Sequence, residues 1–566
     1  MVRFLSVFGY FTFLAVSSII LFGPALNGMN DDSIIVWLTS GYAGTAPTAI
    51  TVYTSFFYGL ILKTLYSINQ NIGWHGIVQL LLVLIGSAAL GSIALKKTDP
   101  KQRKLFYFLL LNLSIFVIWF SPRPTFTVTS IFIGFIAFGI LILSLKARFD
   151  KNILLVAIFL LIFSYVLRPE AAYLVISFGI LNIFLFLYFN KYFLKTHLLK
   201  IGIFLLPIVI LTISDSIITS VIKSQSPAWA RYLEFNDLNY ELDTNPAELV
   251  FFEKLTSGAL DEVDWTSVEA VLYQKNAFFD NKVFSNEVLT VATESAAQSM
   301  GISGVLNSSF SLTLDRAWMY LSESTGFLIF FFLVIILFLI AELKLKVKWS
   351  YLLTNLSLLA LVTYYFSAVS RLPARIHVPL IFGVSLLLLI IILEANFIKK
   401  QLANLIYLMA STTLIISLIY GMNGMREISK LNKGNRINIE QAIIKMNKLD
   451  ENGKFIGLLE AFSLEAMLAY GSPQISEDVN YLTSGWMTFS PPWNEKRNNM
   501  QLLKNNPYEA IAKQPRVYWV SDPVTAEVLN MYMNDREIFR KNKCEILKLH
   551  KDLRVYTYQS DKVCEN

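Results

Sequence analysis

The sequence predicts a polytopic α-helical membrane protein. Its expected form is a bundle of roughly eleven transmembrane helices with a juxtamembrane helix in the first outer loop, a large outer loop and a small extracytoplasmic α/β domain at the C-terminal end. Three observations carry this. Of 566 residues, 55% are hydrophobic and only 16% charged, whereas soluble domains carry about 25% charged residues. Apolar runs long enough to cross a hydrocarbon core of roughly 30 Å recur along the chain. Lys and Arg are shared very unevenly among the loops that join those runs.

The runs fall at 4–26, 75–95, 104–120, 126–145, 152–167, 171–190, 200–221, 326–342, 350–369, 376–395 and 401–420. The first is too long for a signal-peptide core and no small-x-small site follows it, so it is expected to stay as a signal anchor. The stretch 51–67 (TVYTSFFYGLILKTLYS) fits either a span or a helix lying in the interface, and charge decides between them. With 51–67 flat, seventeen Lys and Arg gather on one face of the membrane and five on the other. If it spanned, sixteen of the seventeen would move outside, against the rule that cytoplasmic loops hold the basic excess. The expectation is an N-terminus in the cytoplasm, a C-terminal domain outside, and 51–67 as a juxtamembrane helix with Lys63 snorkelling.

Residues 1–422 then form a membrane module, with outer loops at 27–74 and 223–325, and 423–566 forms a separate outer domain. That tail alternates β-like runs (454–459, 516–520, 545–549, 553–558) with helical ones (439–449, 523–534), the pattern of a small α/β fold. No internal repeat is visible. The net charge of +7 reads as loops facing anionic lipid, not as a nucleic-acid footprint. Cys544 and Cys564, the only cysteines, lack metal-ligand spacing and are placed to pair if the tail is extracytoplasmic. Heavy use of Ile, Phe, Lys and Asn points to a bacterial cytoplasmic membrane.

The short outer loops are nearly free of charge, which makes the exceptions informative. They are Asp31 and Asp32 just after the first run, Arg123 in SPRPT, Arg168 and Glu170 in LRPE, and Arg371 and Arg375 with His377 in SRLPARIH. Charge at the membrane boundary is costly and is a default candidate for function. The arginines lie close to prolines, which end helices and expose backbone there. Each feature also has a plainer reading. Either aspartate suits the N-cap of a helix beginning at Ser33; Arg123 and Arg168 suit headgroup anchoring; Glu170 suits a pair with Arg168; His377 suits an interfacial histidine. Trp229, Trp265, Trp486, Trp493 and Trp519 suit membrane interfaces as well as sugar stacking.

Several arginines and one or two carboxylates, outside and at membrane depth, define a chemistry. Nucleotide donors are absent there, whereas a sugar on a polyprenyl phosphate is present. Its phosphate leaving group needs neutralising charge but no general acid. The attacking hydroxyl needs a positioned base, which an aspartate supplies. The second aspartate would orient the first, bind the acceptor, or hold a divalent cation such as Mg or Mn, completed by phosphate and water.

The order of parts, with MNDDSIIVWLTSGYAGT and TLYSINQNIGWHG following the first run and YLTSGWMTFSPPWN in the tail, resembles the GT-C superfamily of polyprenyl-phosphate-sugar glycosyltransferases. The resemblance covers the architecture of the whole chain and implies Asp31, the first acidic residue of the first outer loop, as base. The sequence lacks the Pro-Pro-Leu found before the juxtamembrane helix in the aminoarabinose and mannosyl branches. Lys63, the remaining candidate phosphate ligand, lies inside that helix. Implied partners are a polyprenyl-phosphate-linked sugar, a glycan, lipid or protein acceptor, and the bilayer, with no nucleic acid. Two alternatives stay open: a lipid-linked glycan polymerase or ligase, which needs no acidic pair, and a lipid-linked-sugar flippase or transporter. The latter is disfavoured by the lack of repeats and by two outer modules; Asp215 is its main buried charge.

Overall fold

The structure, a computed structural model, describes residues 2–26, 30–41, 46–97, 103–145, 150–189, 194–244, most of 265–294, 349–368 and 374–394, single positions between 315 and 336, and, with interruptions, 426–558. The membrane part comprises α1 (Val2–Phe22), α2 (Asn30–Ser40), α3 (Phe56–Ile68), α4 (Trp74–Lys97), α5 (Arg103–Phe120), α6 (Phe126–Leu145), α7 (Lys151–Leu167), α8 (Pro169–Phe189), α9 (Leu194–Gln225), α12 (Trp349–Ala368) and α13 (Ala374–Glu394). Among the described residues six helices are long and apolar enough to cross a membrane by length and composition. Nine of the eleven expected apolar runs coincide with helices, six of which meet that length and composition. Those at 326–342 and 401–420 fall almost wholly outside the described residues.

Helices α6 and α13 are buried almost along their whole length. The reason is in α6 itself, FTVTSIFIGFIAFGILILSL, which is apolar on every side and so belongs at the centre of a bundle. Aromatic rings interlock around it: Phe116 stacks on Phe132 with centroids 3.7 Å apart. Gly179 and Gly383 let neighbouring helices close on the rings of Phe138 and Phe135, where a Cβ would come within 2.2 Å and 2.0 Å. Buried amides answer one another, Asn182 and Asn355 exchanging bonds of 2.9 and 2.8 Å. Such pairs hold helices together where apolar burial alone gives no preference over lipid. By contrast α9 exposes Leu199, Leu206, Val209, Ile210, Ile213 and Ile217, a face for lipid.

Helix α3 stays on one side of the bundle. Asp32 in α2 is bonded to His75, the second residue of α4, so the chain between them leaves and returns at the same end. With 13 residues, α3 is about 20 Å long, short of a crossing. Ser55 caps it, accepting from the Phe57 N–H, and Tyr58, Gly59, Leu62 and Tyr66 form its buried face. Lys96 and Lys97 at the end of α4, Arg103 at the start of α5 and Lys151 at the start of α7 all lie at the opposite end.

The tail holds a five-stranded sheet in the order β2-β1-β3-β5-β4. Its strands are β1 (Lys454–Gly457), β2 (Asn480–Thr483), β3 (Val517–Ser521), β4 (Cys544–Lys548) and β5 (Arg554–Thr557). β1 runs parallel to β2 and β3, and β5 is antiparallel to β3 and β4. Helices α14 (Pro491–Asn499), α15 (Pro507–Lys513) and α16 (Pro523–Asp535) accompany it, each with Pro in its first turn and a Ser, Asn or Asp cap. Cys544 is disulfide-bonded; Cys564 lies outside the described residues.

Described parts of the 223–325 loop share the tail's core. Helices α10 (Pro227–Thr244) and α11 (Ser267–Gln274) come from that loop. Phe235, Trp265, Leu272 and Phe279 lie in one apolar cluster with Ile456, Trp493, Trp519 and Tyr556. Asp280 Oδ2 fastens the joint, accepting from Asn506 (2.7 Å) and the Tyr532 hydroxyl (2.8 Å). Trp265, Trp493 and Trp519 are therefore core residues, the first two donating to the Val283 and Thr483 carbonyls. Trp229 packs on Tyr232 in α10, and Trp486 lies outside the described residues.

Candidate functional site

The body formed by the tail and the 223–325 loop is seated on the end of the bundle where the acidic pair lies. The Ala469 N–H donates to the Ala25 carbonyl at 3.0 Å, and the Tyr470 hydroxyl donates to the Ser121 carbonyl at 2.8 Å. Gly76 permits this seating, since a Cβ there would meet the Ala469 carbonyl at 2.2 Å. Several helix ends thus converge beneath a soluble cover.

Helix α2 begins at Asn30, not at Ser33, so Asp31 and Asp32 stand inside its first turn. Neither is the cap that the plainer reading offered. Successive residues on a helix diverge by about 100°, and the two carboxylates accordingly reach different walls.

Asp32 is wholly buried. Its Oδ1 accepts from His75 Nε2 at 2.8 Å, the Phe126 backbone N–H at 3.0 Å and Gln79 Nε2 at 3.3 Å. The other ring nitrogen of His75, Nδ1, lies 2.9 Å from the Tyr58 hydroxyl. The Thr129 hydroxyl donates to Gln79 Oε1 at 3.2 Å, fixing that amide. Four elements (α2, α3, α4 and α6) are thus tied through one carboxylate. A buried polar group is costly without partners, and here the donors come from the starts of α4 and α6. Asp32 Oδ2 is buried and has no hydrogen-bond partner among the described residues.

Asp31 is partly open, its side chain 17% exposed, and its Oδ2 lies 3.0 Å from Arg375 Nη1 in the first turn of α13. Arg375 Nε is buried and has no hydrogen-bond partner among the described residues, so the guanidinium has donor capacity left beside the carboxylate. The two residues are 344 positions apart in sequence.

Arg168 sits at the same end, over the ring of Phe126 whose N–H holds Asp32. Its Nη1 donates to Thr127 Oγ1 at 2.6 Å, its guanidinium carbon lies 5.7 Å from the Tyr53 ring centroid, and Glu170 is 3.8 Å from Nε. Arg123 is half-buried in the tight turn between α5 and α6, its side chain without a hydrogen bond or ion pair among the described residues. His377 is buried one turn into α13. Lys63 is exposed on α3, away from that helix's buried face. Arg371 lies outside the described residues. Asp215, in the C-terminal third of α9, accepts from Ser55 Oγ at 3.0 Å.

A divalent cation does not fit this arrangement. Asp31 faces a guanidinium, Asp32 Oδ1 faces three N–H donors, and no group of three or more His, Cys, Asp or Glu side chains forms among the described residues. The sequence reading missed His75, Gln79 and Tyr58. The first two were visible as polar residues spaced i, i+4 at the start of an otherwise apolar helix.

No family model matches the sequence, and no curated protein is similar to it. Among solved structures, the fold search returns ArnT from Cupriavidus metallidurans in the apo state, with 10% identity, a TM-score of 0.42, and coverage of 97% of this chain and 98% of that one. ArnT from the same organism bound to undecaprenyl phosphate is similar over the same shares, with a TM-score of 0.39 and 10% identity.

Proposed function

We propose that this chain is an inverting GT-C-type glycosyltransferase. It moves a sugar from a polyprenyl-phosphate carrier to a cell-envelope acceptor on the outer face of a bacterial cytoplasmic membrane. The observation that carries the reading is the Asp31–Arg375 pair, 3.0 Å across and partly open, at the end of the bundle under the soluble body. A carboxylate and a permanently charged fork, side by side, are what acceptor activation and phosphate departure need. The lysine-rich opposite end of the bundle and the disulfide at Cys544 support an extracytoplasmic site with the N-terminus in the cytoplasm.

In this reading Arg375, with its unused Nε, takes the donor phosphate, helped by Arg168 and Arg123, and Asp31 is freed to accept the acceptor's hydroxyl proton. The acceptor oxygen forms its bond to the anomeric carbon as the bond to the phosphate oxygen breaks, and the electron pair leaves with the phosphate. Asp32 does not meet substrate; held by His75, Gln79 and the Phe126 N–H, it sets where α2 and Asp31 stand. No step needs a metal. The test is transfer from a radiolabelled polyprenyl-phosphate sugar by the reconstituted full-length protein. The wild type should invert the anomeric centre, and Asp31→Asn should lose about 10²- to 10⁴-fold in rate, the span of general-base contributions. Full transfer by a folded Asp31→Asn protein would favour a polymerase or ligase.

A further inference from the structure

We propose that Lys496 and Arg497, adjacent on α14, form a phosphate-binding subsite where the outer body meets α2. Lys496 Nζ lies 5.6 Å from the ring centroid of Trp37. Trp37 follows Asp32 by five residues on α2, about 7.5 Å along the helix axis. The subsite therefore lies against the same short helix that carries the acidic pair, where the body containing α14 meets α2. Arg497 stacks at 5.6 Å on Trp493, and its Nε is buried with no hydrogen-bond partner among the described residues.

Both cations are half-buried, and neither has a carboxylate partner among the described residues; Glu495, between them and the helix start, is exposed. An unpaired, partly desolvated cation is costly, and two in succession without a counterion point to an anion that arrives from outside the chain. Burial also pulls the Lys496 ammonium down to about 8, a cost that a bound anion would remove. The plainer reading is that both side chains merely serve the C-terminal end of α14, where positive charge is welcome. That reading leaves the buried Arg497 Nε unexplained. The aromatic faces hold the cations in place, and a phosphate at interface depth supplies the missing acceptors.

The phosphate belongs either to the polyprenyl donor or to an anionic acceptor, a distinction that rests on the glycosyltransferase reading. The test measures dissociation constants of the full-length protein in phosphatidylcholine nanodiscs for two probes, a polyprenyl phosphate and phosphatidic acid. Lys496→Met with Arg497→Gln keeps the stems on their tryptophans but removes both charges. It should weaken at least one probe by about tenfold or more, whereas Lys496→Arg with Arg497→Lys should retain it. Loss confined to polyprenyl phosphate assigns the subsite to the donor; loss on phosphatidic acid assigns it to the acceptor. Both constants within twofold of wild type, at an unchanged melting temperature, would overturn the proposal. If the double variant unfolds, Lys496→Met alone decides, by a loss of about threefold or none. Arg375→Ala serves as the separate control: unchanged polyprenyl-phosphate affinity there counts against the catalytic reading and leaves this subsite standing.

Discussion

The surroundings of Asp32 and of Asp31 differ more than two neighbouring residues usually do. Around Asp32 everything is closed: three donors on one oxygen, a histidine fixed by a tyrosine, and a glutamine fixed by a threonine. Around Asp31, among the described residues, there is one guanidinium, partial exposure, and a donor without a partner. The closed region resembles a structural joint; the open one has room and spare hydrogen-bonding capacity for a substrate. A rigid wall next to an adaptable one is how a site holds its geometry while still admitting a ligand.

The largest effect that would break this contrast is on the closed side. Asp32→Ala should destabilise the bundle by about 3–5 kcal/mol, because it strands three buried donors from two helices, α4 and α6. A melting temperature equal to wild type in the same detergent would remove Asp32 from its structural role. On the open side, Arg375→Ala should weaken polyprenyl-phosphate binding by about 10- to 100-fold, or roughly 1.4–2.7 kcal/mol, with little change in melting. Unchanged affinity by titration in nanodiscs would mean that the guanidinium serves only Asp31.

His75→Gln should fall between the two regions, costing about 1 kcal/mol because a donor to Asp32 is kept while the link to Tyr58 is lost. Equal melting of His75→Gln and Asp32→Ala would show that the histidine, not the carboxylate, is the keystone. The smallest effect lies far from the site. The Arg516 guanidinium and the Tyr518 hydroxyl hold the Asp450 carboxyl below its usual range. Its folded value is depressed, so its stabilisation is present above the unfolded value of about 3.9 and fades as pH falls through the folded one. Asp450→Asn should therefore lower the melting temperature slightly at neutral pH and flatten its decline below about pH 4; parallel melting curves across that range would contradict the assignment.

Much of the frame was legible because its causes are one-dimensional. Apolar runs mark crossing helices, and the balance of Lys and Arg between loops was enough to lay α3 on one face. The acidic pair was visible for the same reason, as charge next to a long apolar run. Its division of labour was not, because it depends on where α2 starts: a helix from Ser33 leaves both aspartates in a loop, while a start at Asn30 turns them to different walls. The partnership of Asp31 with Arg375 joins residues 344 positions apart, which no local pattern announces. Nor did the sequence reveal that the outer loop and the tail share a core, since 326–342 through 401–420 separate them as apolar runs. Lys496 and Arg497 lie in a polar helix whose charges look solvated until Trp37 and Trp493 are placed beneath them.

The central claim is that a lipid phosphate is bound at Arg375 while Asp31 turns to the acceptor and Asp32 stays locked. A density map of the full-length protein with a bound polyprenyl phosphate tests it most directly. The account predicts phosphate oxygens within hydrogen-bonding reach of the Arg375 guanidinium, with Asp31 released from it and the Asp32–His75 bond intact. A phosphate at the lysine-rich end of the bundle, or one seated among His75, Gln79 and Asp32, would contradict it.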